Sequence, residues 1–234
     1  PHIDNELRSL ASREHRGCLG KSSGGYGALI HGMKYTKFWG AVGRHSGDAY
    51  FDFVYRTEWP QVLTHLQKFS SKTKGFSRLK VNNIKNSLGE DDGRVARFLK
   101  YAQNQTALSS PDITALMILA MAASYDPDTN APNNFRLPFD LDTGELINDR
   151  WKQWLRHDPI FLVEKYQKNL KKLKGVYIDC GSRDQYHIHF GSRKVSHELT
   201  KQNIQHLYQE FDGTHSGIDY RLDVSLPFLS KALQ

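Results

Sequence analysis

The chain has 234 residues with 38% hydrophobic and 12% aromatic side chains, which suits one globular domain with a sizeable core and an inserted subdomain and excludes an unfolded chain. A net charge of +7 comes from scattered Lys and Arg without a recognition motif, so no nucleic-acid partner is expected, and the absence of any run of about 18 apolar residues predicts no membrane span. The two cysteines, Cys18 and Cys180, stand at predicted strand ends and are expected as reduced, buried thiols; the compartment stays open, with the cytoplasm favoured.

Ile3, Leu7 and Leu10 have helical spacing and predict a helix almost at the start of the chain. Residues 16–19 are short and partly apolar, as a buried parallel strand would be. They run into Gly20-Lys21-Ser22-Ser23-Gly24, and then into a segment, 25–30, whose small residues suit a helix packed closely on a sheet. A second strand is read over 38–43, ending in the polar turn Arg44-His45-Ser46-Gly47-Asp48. Residues 76–157 break this rhythm, with helical patterns over 93–102 and 111–123 and a Pro- and Asn-rich stretch over 126–138; they read as an insertion, either a lid or a packing subdomain.

The apolar spacing of Phe161, Val163, Tyr166 and Leu170 predicts a helix whose solvated end carries Lys171, Lys172 and Lys174. A third strand over 175–180, a helix over 192–199, a fourth strand over 204–211 and a helix over 225–233 complete the pattern. Strands alternating with helices predict an α/β fold: a mostly parallel sheet with helices on both faces and the insertion between the second and third strands.

A strand that reverses into a helix over one residue places that residue in a strained conformation with its side chain exposed, and glycines two residues either side relieve the crowding. Ser22 is therefore the candidate nucleophile. A serine hydroxyl needs an imidazole to take its proton and a carboxylate to orient that imidazole. Asp184, on the turn after the third strand, is the expected acid and is preferred to Asp179, which lies inside the strand. His215, on a glycine-flanked loop after the last strand, is the expected base. The backbone amide of Ser23 is the expected oxyanion donor. His187 and His189 form an H-x-H pair without a third ligand at a persuasive spacing, so neither a metal nor a cofactor is expected.

The segment Gly20-Lys21-Ser22-Ser23-Gly24-Gly25-Tyr26-Gly27-Ala28-Leu29, with His45-Ser46-Gly47-Asp48, Asp179-Cys180-Gly181-Ser182-Arg183-Asp184 and Gly213-Thr214-His215, resembles the esterase family of α/β hydrolases that includes S-formylglutathione hydrolase, enterobactin esterase, feruloyl esterases and the mycolyltransferases. The resemblance runs the whole chain. It implies the same nucleophile, acid, base and oxyanion amide, and puts Lys21, Tyr26 and His45 forward as substrate-binding residues; Lys21 either favours acidic substrates or points to solvent. Members of the family carry several strands before the elbow strand, where this chain has about 16 residues, so it resembles roughly the C-terminal two-thirds of such an enzyme. The second oxyanion donor is then expected from an upstream segment or a complementing N-terminal chain, and a homo-oligomer is the other expected association. The implied function is a serine carboxylesterase that cleaves a small-molecule carboxylic ester or thioester through an acyl-enzyme. The alternatives are a catalytically silent hydrolase-fold binding module and an acyltransferase of the same family.

Overall fold

In the computed structural model, residues 2–71 and 91–234 are described. The chain opens with α1 (His2–Glu6), β1 (Gly17–Lys21), α2 (Ser23–Lys34), β2 (Ala41–His45) and α3 (Phe51–Val54). Four longer helices follow: α4 (Trp59–Gln67), α5 (Arg94–Gln103), α6 (Ser110–Tyr125) and α7 (Asn148–Leu155). The last part holds α8 (Pro159–Lys165), α9 (Gln167–Leu170), β3 (Gly175–Gly181), α10 (Ile188–Lys201), β4 (Leu207–Phe211) and α11 (Leu222–Ala232). The chain divides into two compact units, one made of Pro1–Val54 with Asp158–Gln234 and the other of Tyr55–His157. The division falls at Tyr55, ahead of residue 76 where the sequence pattern changes, and residues 76–90 of the expected insertion lie outside the described residues.

The first unit is built on a parallel sheet of order β1-β2-β3-β4. Parallel pairing needs crossovers, and helices supply them on both faces, so the central strands β2 and β3 are buried along their whole length. Val42, Val176 and Ile178 point to one face and pack with Leu29 and Met33 of α2, Ile160 and Val163 of α8, and Val195 and Leu199 of α10. Ala41 and Tyr177 point to the other face and meet Leu229 and Phe228 of α11. Asp158 caps α8 through the Ile160 amide and also accepts the amides of Tyr50 (3.0 Å) and Phe51 (2.7 Å), which joins α3 to α8; burial holds its carboxyl up at about 6.

Three expectations change here. Strand β1 alternates exposed and half-buried residues, so it is an edge strand and not a buried one; Cys18 within it is only half-buried. Helix α1 ends at Glu6, and Ile3, Leu7 and Leu10 are all more than half exposed, so their spacing does not mark a packed face. Strand β2 begins three residues later than read and runs through Arg44 and His45, which were assigned to a polar turn. The polarity misleads because both side chains are buried with partners: Arg44 donates to Ser192 Oγ (3.0 Å) and to the Gly47 carbonyl, and His45 is bonded at both ring nitrogens.

The second unit is helical. Its core stacks aromatic rings, with Trp59 against Phe139 and Trp151, and Trp154 against Tyr55 and Tyr125. Ser109 and Asp112 form a capping box at the start of α6, and Asp112 also takes a 2.8 Å bond from His65 Nε2, which ties α4 to α6.

Candidate active site

Every strand of the parallel sheet ends at the same edge, so the loops that follow β1, β2, β3 and β4 emerge there together. The register pairs Lys21 with His45, His45 with Asp179, and Gly181 with Phe211, which sets the residues just after these positions side by side. Ser22, the loop 46–50, Asp184 and His215 all follow those strand ends.

Ser22 connects β1 to α2 with φ 58° and ψ −130°, a conformation that costs a non-glycine residue on the order of 1–3 kcal/mol and persists only where neighbours impose it. Its amide donates to the His45 carbonyl (2.9 Å) and its carbonyl accepts from the Tyr26 amide (3.0 Å). The crowding falls on Gly20 and Gly25: a Cβ on Gly20 would lie 2.4 Å from the Gly24 carbonyl oxygen, and one on Gly25 would lie 2.9 Å from the Gly20 and His45 carbonyl oxygens. Gly24 has open space around its Cβ direction, so the expected collision on that side does not occur. Ser23 opens α2, where helix geometry leaves its amide without an intrahelical acceptor, and its hydroxyl donates to Asp48 Oδ2 (3.1 Å). Asp48, to which the sequence motif assigns no role, braces the Ser22–Ser23 turn.

The side chains expected as acid and base meet. His215 Nδ1 lies 2.8 Å from Asp184 Oδ2, and the Asp184 side chain is fully buried while the imidazole is 10% exposed. An ionised carboxylate only accepts, so Nδ1 carries the proton and Nε2 of the neutral ring is left as the basic nitrogen. Asp184 is further held by the Tyr186 amide (2.9 Å) and the Cys180 thiol (3.7 Å), and burial pushes that thiol up to about 12, so it stays a donor. The Tyr186 ring stands edge-on to the imidazole at 4.9 Å, and Gln185 Oε1 accepts the His215 amide at 3.1 Å. Backbone bonds from Ser182 to Phe211 and from Arg183 to Gly213, both 2.9 Å, join the acid turn to the base loop. Only glycine fits at 181, since a Cβ there would lie 2.5 Å from the Gly213 carbonyl oxygen.

Asp179 serves elsewhere. Its carboxylate takes His45 Nδ1 (2.7 Å), the Tyr177 hydroxyl (2.8 Å) and Arg221 Nε (2.9 Å), all on the α11 face. His45 Nε2 is 2.9 Å from Ser225 Oγ, so this histidine, expected at the substrate, has neither ring nitrogen open to a ligand and is 3% exposed. Lys21 is exposed, and Tyr26 is half-buried with its ring 6.3 Å from that of Phe51. Among the described residues, no hydrogen bond engages Ser22 Oγ or His215 Nε2; the structure joins His215 to Asp184 and leaves the Ser22 hydroxyl unbonded. Sequence reading passed over Tyr177, Gln209, Arg221 and Ser225, whose only local signal is polarity inside otherwise apolar segments.

The His187 and His189 rings are 6.5 Å apart, and among the described residues no group of three or more His, Cys, Asp or Glu is placed to hold a metal ion. No described helix is long and apolar enough to cross a membrane. A cavity of about 310 Å³ lined by Asp91, Val95, Asn133 and Arg136 belongs to the second unit and contains none of the residues above.

No curated protein sequence matches the chain. Among solved structures it is similar to a ferulic acid esterase (14% identity, all of this chain and 58% of that one, TM-score 0.49) and to the fluorophosphonate-binding serine hydrolase F of Staphylococcus aureus (12% identity, all of this chain and 60% of that one, TM-score 0.46). An α/β fold family hydrolase from Bacillus anthracis str. Sterne is similar over 94% of this chain and 67% of its own length, at 14% identity and a TM-score of 0.39. The chain thus spans about three fifths of the length of the first two. Residues 1–225 match the model of the family described as "Putative esterase", and the chain belongs to that family.

Proposed function

We propose that the chain is the catalytic part of a serine carboxylesterase, with Ser22 as nucleophile, His215 as general base and acid, and Asp184 as the carboxylate that orients His215. The observation that carries this reading is the 2.8 Å His215–Asp184 pair, with its free Nε2, on loops at the same sheet edge as the strained Ser22 turn. In the reaction, Ser22 Oγ attacks the ester carbonyl carbon while His215 Nε2 takes its proton. The imidazolium so formed lies against the Asp184 carboxylate, and the Ser23 amide donates to the oxyanion. Collapse breaks the bond to the alcohol or thiol, which leaves with the proton from His215, and Ser22 holds the acyl group. Water, deprotonated by the same nitrogen, attacks the acyl carbonyl, and the acid departs as Oγ regains its proton.

A fluorophosphonate probe is expected to label Ser22 and no other residue, and short p-nitrophenyl esters are expected to be hydrolysed with release of the acid. Labelling elsewhere, or turnover unchanged in Ser22→Ala, overturns the assignment. The missing bond between Ser22 and His215 favours, as a second reading, a binding module without turnover, although such bonds commonly tighten only with substrate. Absence of both labelling and hydrolysis by the intact protein would favour that reading, and release of an ester of an added alcohol instead of the free acid would point to acyl transfer.

A further inference from the structure

The base loop, residues 212–218, leaves β4 at Phe211 and returns to the chain at Asp219, two residues before Arg221. Arg221 reaches back across that opening. Its Nε donates to Asp179 Oδ2 (2.9 Å), and its Nη2 donates to the Tyr177 hydroxyl (2.9 Å) and to Gln209 Oε1 (2.5 Å). The same guanidinium lies over the Phe211 ring at 4.8 Å, and Tyr220 meets that ring edge-on at 6.0 Å. One side chain, 11% exposed, therefore binds β3, β4 and the residue from which the loop departs. Behind it, His45 couples Asp179 to Ser225 in the first turn of α11, so the anchor is fixed on the far side as well.

We propose that Arg221 is a positioning residue for His215: it staples the two ends of the base loop together and so fixes where Nε2 stands. A loop that long keeps many conformations when only one end is held, and joining its ends removes most of them. Arginine suits the task because its planar fork meets three acceptors at fixed angles, whereas the lysine ammonium is a point charge on a flexible stem. The role assigned to His215 rests on the esterase reading above, but the stapling itself does not.

The test is Arg221→Lys in the whole chain, which keeps a cation opposite Asp179 and so preserves the fold. Amide hydrogen exchange followed by mass spectrometry is expected to rise about tenfold in peptides covering 212–218 and to stay unchanged in those covering α10. In the hydrolysis of p-nitrophenyl acetate, kcat is expected to fall about tenfold or more with KM within twofold, because misplacement of a catalytic group slows chemistry without changing uniform binding. Unchanged exchange in 212–218 overturns the proposal, and so does a rise spread equally over the unit, which would make Arg221 a general stabiliser. Absence of ester hydrolysis by the wild type would defeat the esterase reading while the exchange measurement still decides the staple.

Discussion

Two histidines in the first unit are held by aspartates through Nδ1 with nearly the same geometry, 2.8 Å for His215 with Asp184 and 2.7 Å for His45 with Asp179, and the second also has a serine hydroxyl 2.9 Å from Nε2. By hydrogen bonds alone, Ser225-His45-Asp179 is the more complete triad. Location separates the two. His45 lies inside the central strand β2, Ser225 is fully buried, and Asp179 is neutralised further by Arg221, so no substrate carbonyl reaches that serine. His215 stands on a loop beyond the end of β4 with Nε2 unbonded, and Ser22, a strained serine, follows the end of β1, whereas the other positive-φ serine among the described residues, Ser46 after β2, is fully buried. Buried, satisfied polar networks specify and brace a core; catalysis needs a nitrogen left without a partner at an accessible edge.

That comparison is sharpest at the two serines. Ser22→Ala is expected to lower kcat/KM for a p-nitrophenyl ester on the order of 10³-fold or more with little change in melting temperature. Ser225→Ala is expected to leave turnover per folded molecule within about twofold and to cost about 1–3 kcal/mol of stability in denaturant unfolding, because His45 Nε2 loses its partner in a buried site. Equal losses of activity from the two changes would break the distinction. At the histidines the expected contrast is smaller. His215→Gln removes the proposed base and should lower the rate by about 10³-fold, whereas His45→Gln should cost about 2–4 kcal/mol of stability, since the buried Asp179 carboxylate loses one of its partners.

The elbow glycines give the smallest contrast. Gly20→Ala forces a Cβ against the Gly24 carbonyl and should destabilise by about 1–3 kcal/mol and reduce fluorophosphonate labelling of Ser22. Gly24→Ala meets open space at the start of α2 and should stay within about 0.5 kcal/mol of wild type with labelling intact. A reversal of the two would move the crowding that shapes the turn to the other side of the serine.

Much of the candidate site was legible because it is written in local backbone chemistry. The elbow shows as glycines around Ser22, and Asp184 and His215 show as a carboxylate and an imidazole on turns directly after apolar strand segments. The strands and helices of the first unit appear in the expected order but with shifted ends: β2 starts three residues late, β3 runs one residue further to Gly181, β4 starts at Leu207 and not at 204, α10 starts earlier at Ile188, and the helix expected over 161–170 is split into α8 and α9. Reading failed where polarity and burial part company. Arg44 and His45 look like a turn and belong to a buried strand, while Ile3, Leu7 and Leu10 look like a packed face and are exposed. Neither case is decided by neighbours in sequence. Arg44 finds Ser192 and His45 finds Ser225, partners 148 and 180 residues away.

The sequence by itself determined the order of strands and helices and put forward the three candidate residues at the loops, because φ/ψ preferences and side-chain type act over a few residues. The tertiary structure alone decided which aspartate each histidine meets. In-register parallel pairing sets His45 opposite Asp179 within the sheet and Gly181 opposite Phe211 at its end, so the loops beyond carry Asp184 to His215. Two chemically equivalent pairs thus received different surroundings, and only the one lifted past the strand ends keeps a basic nitrogen free.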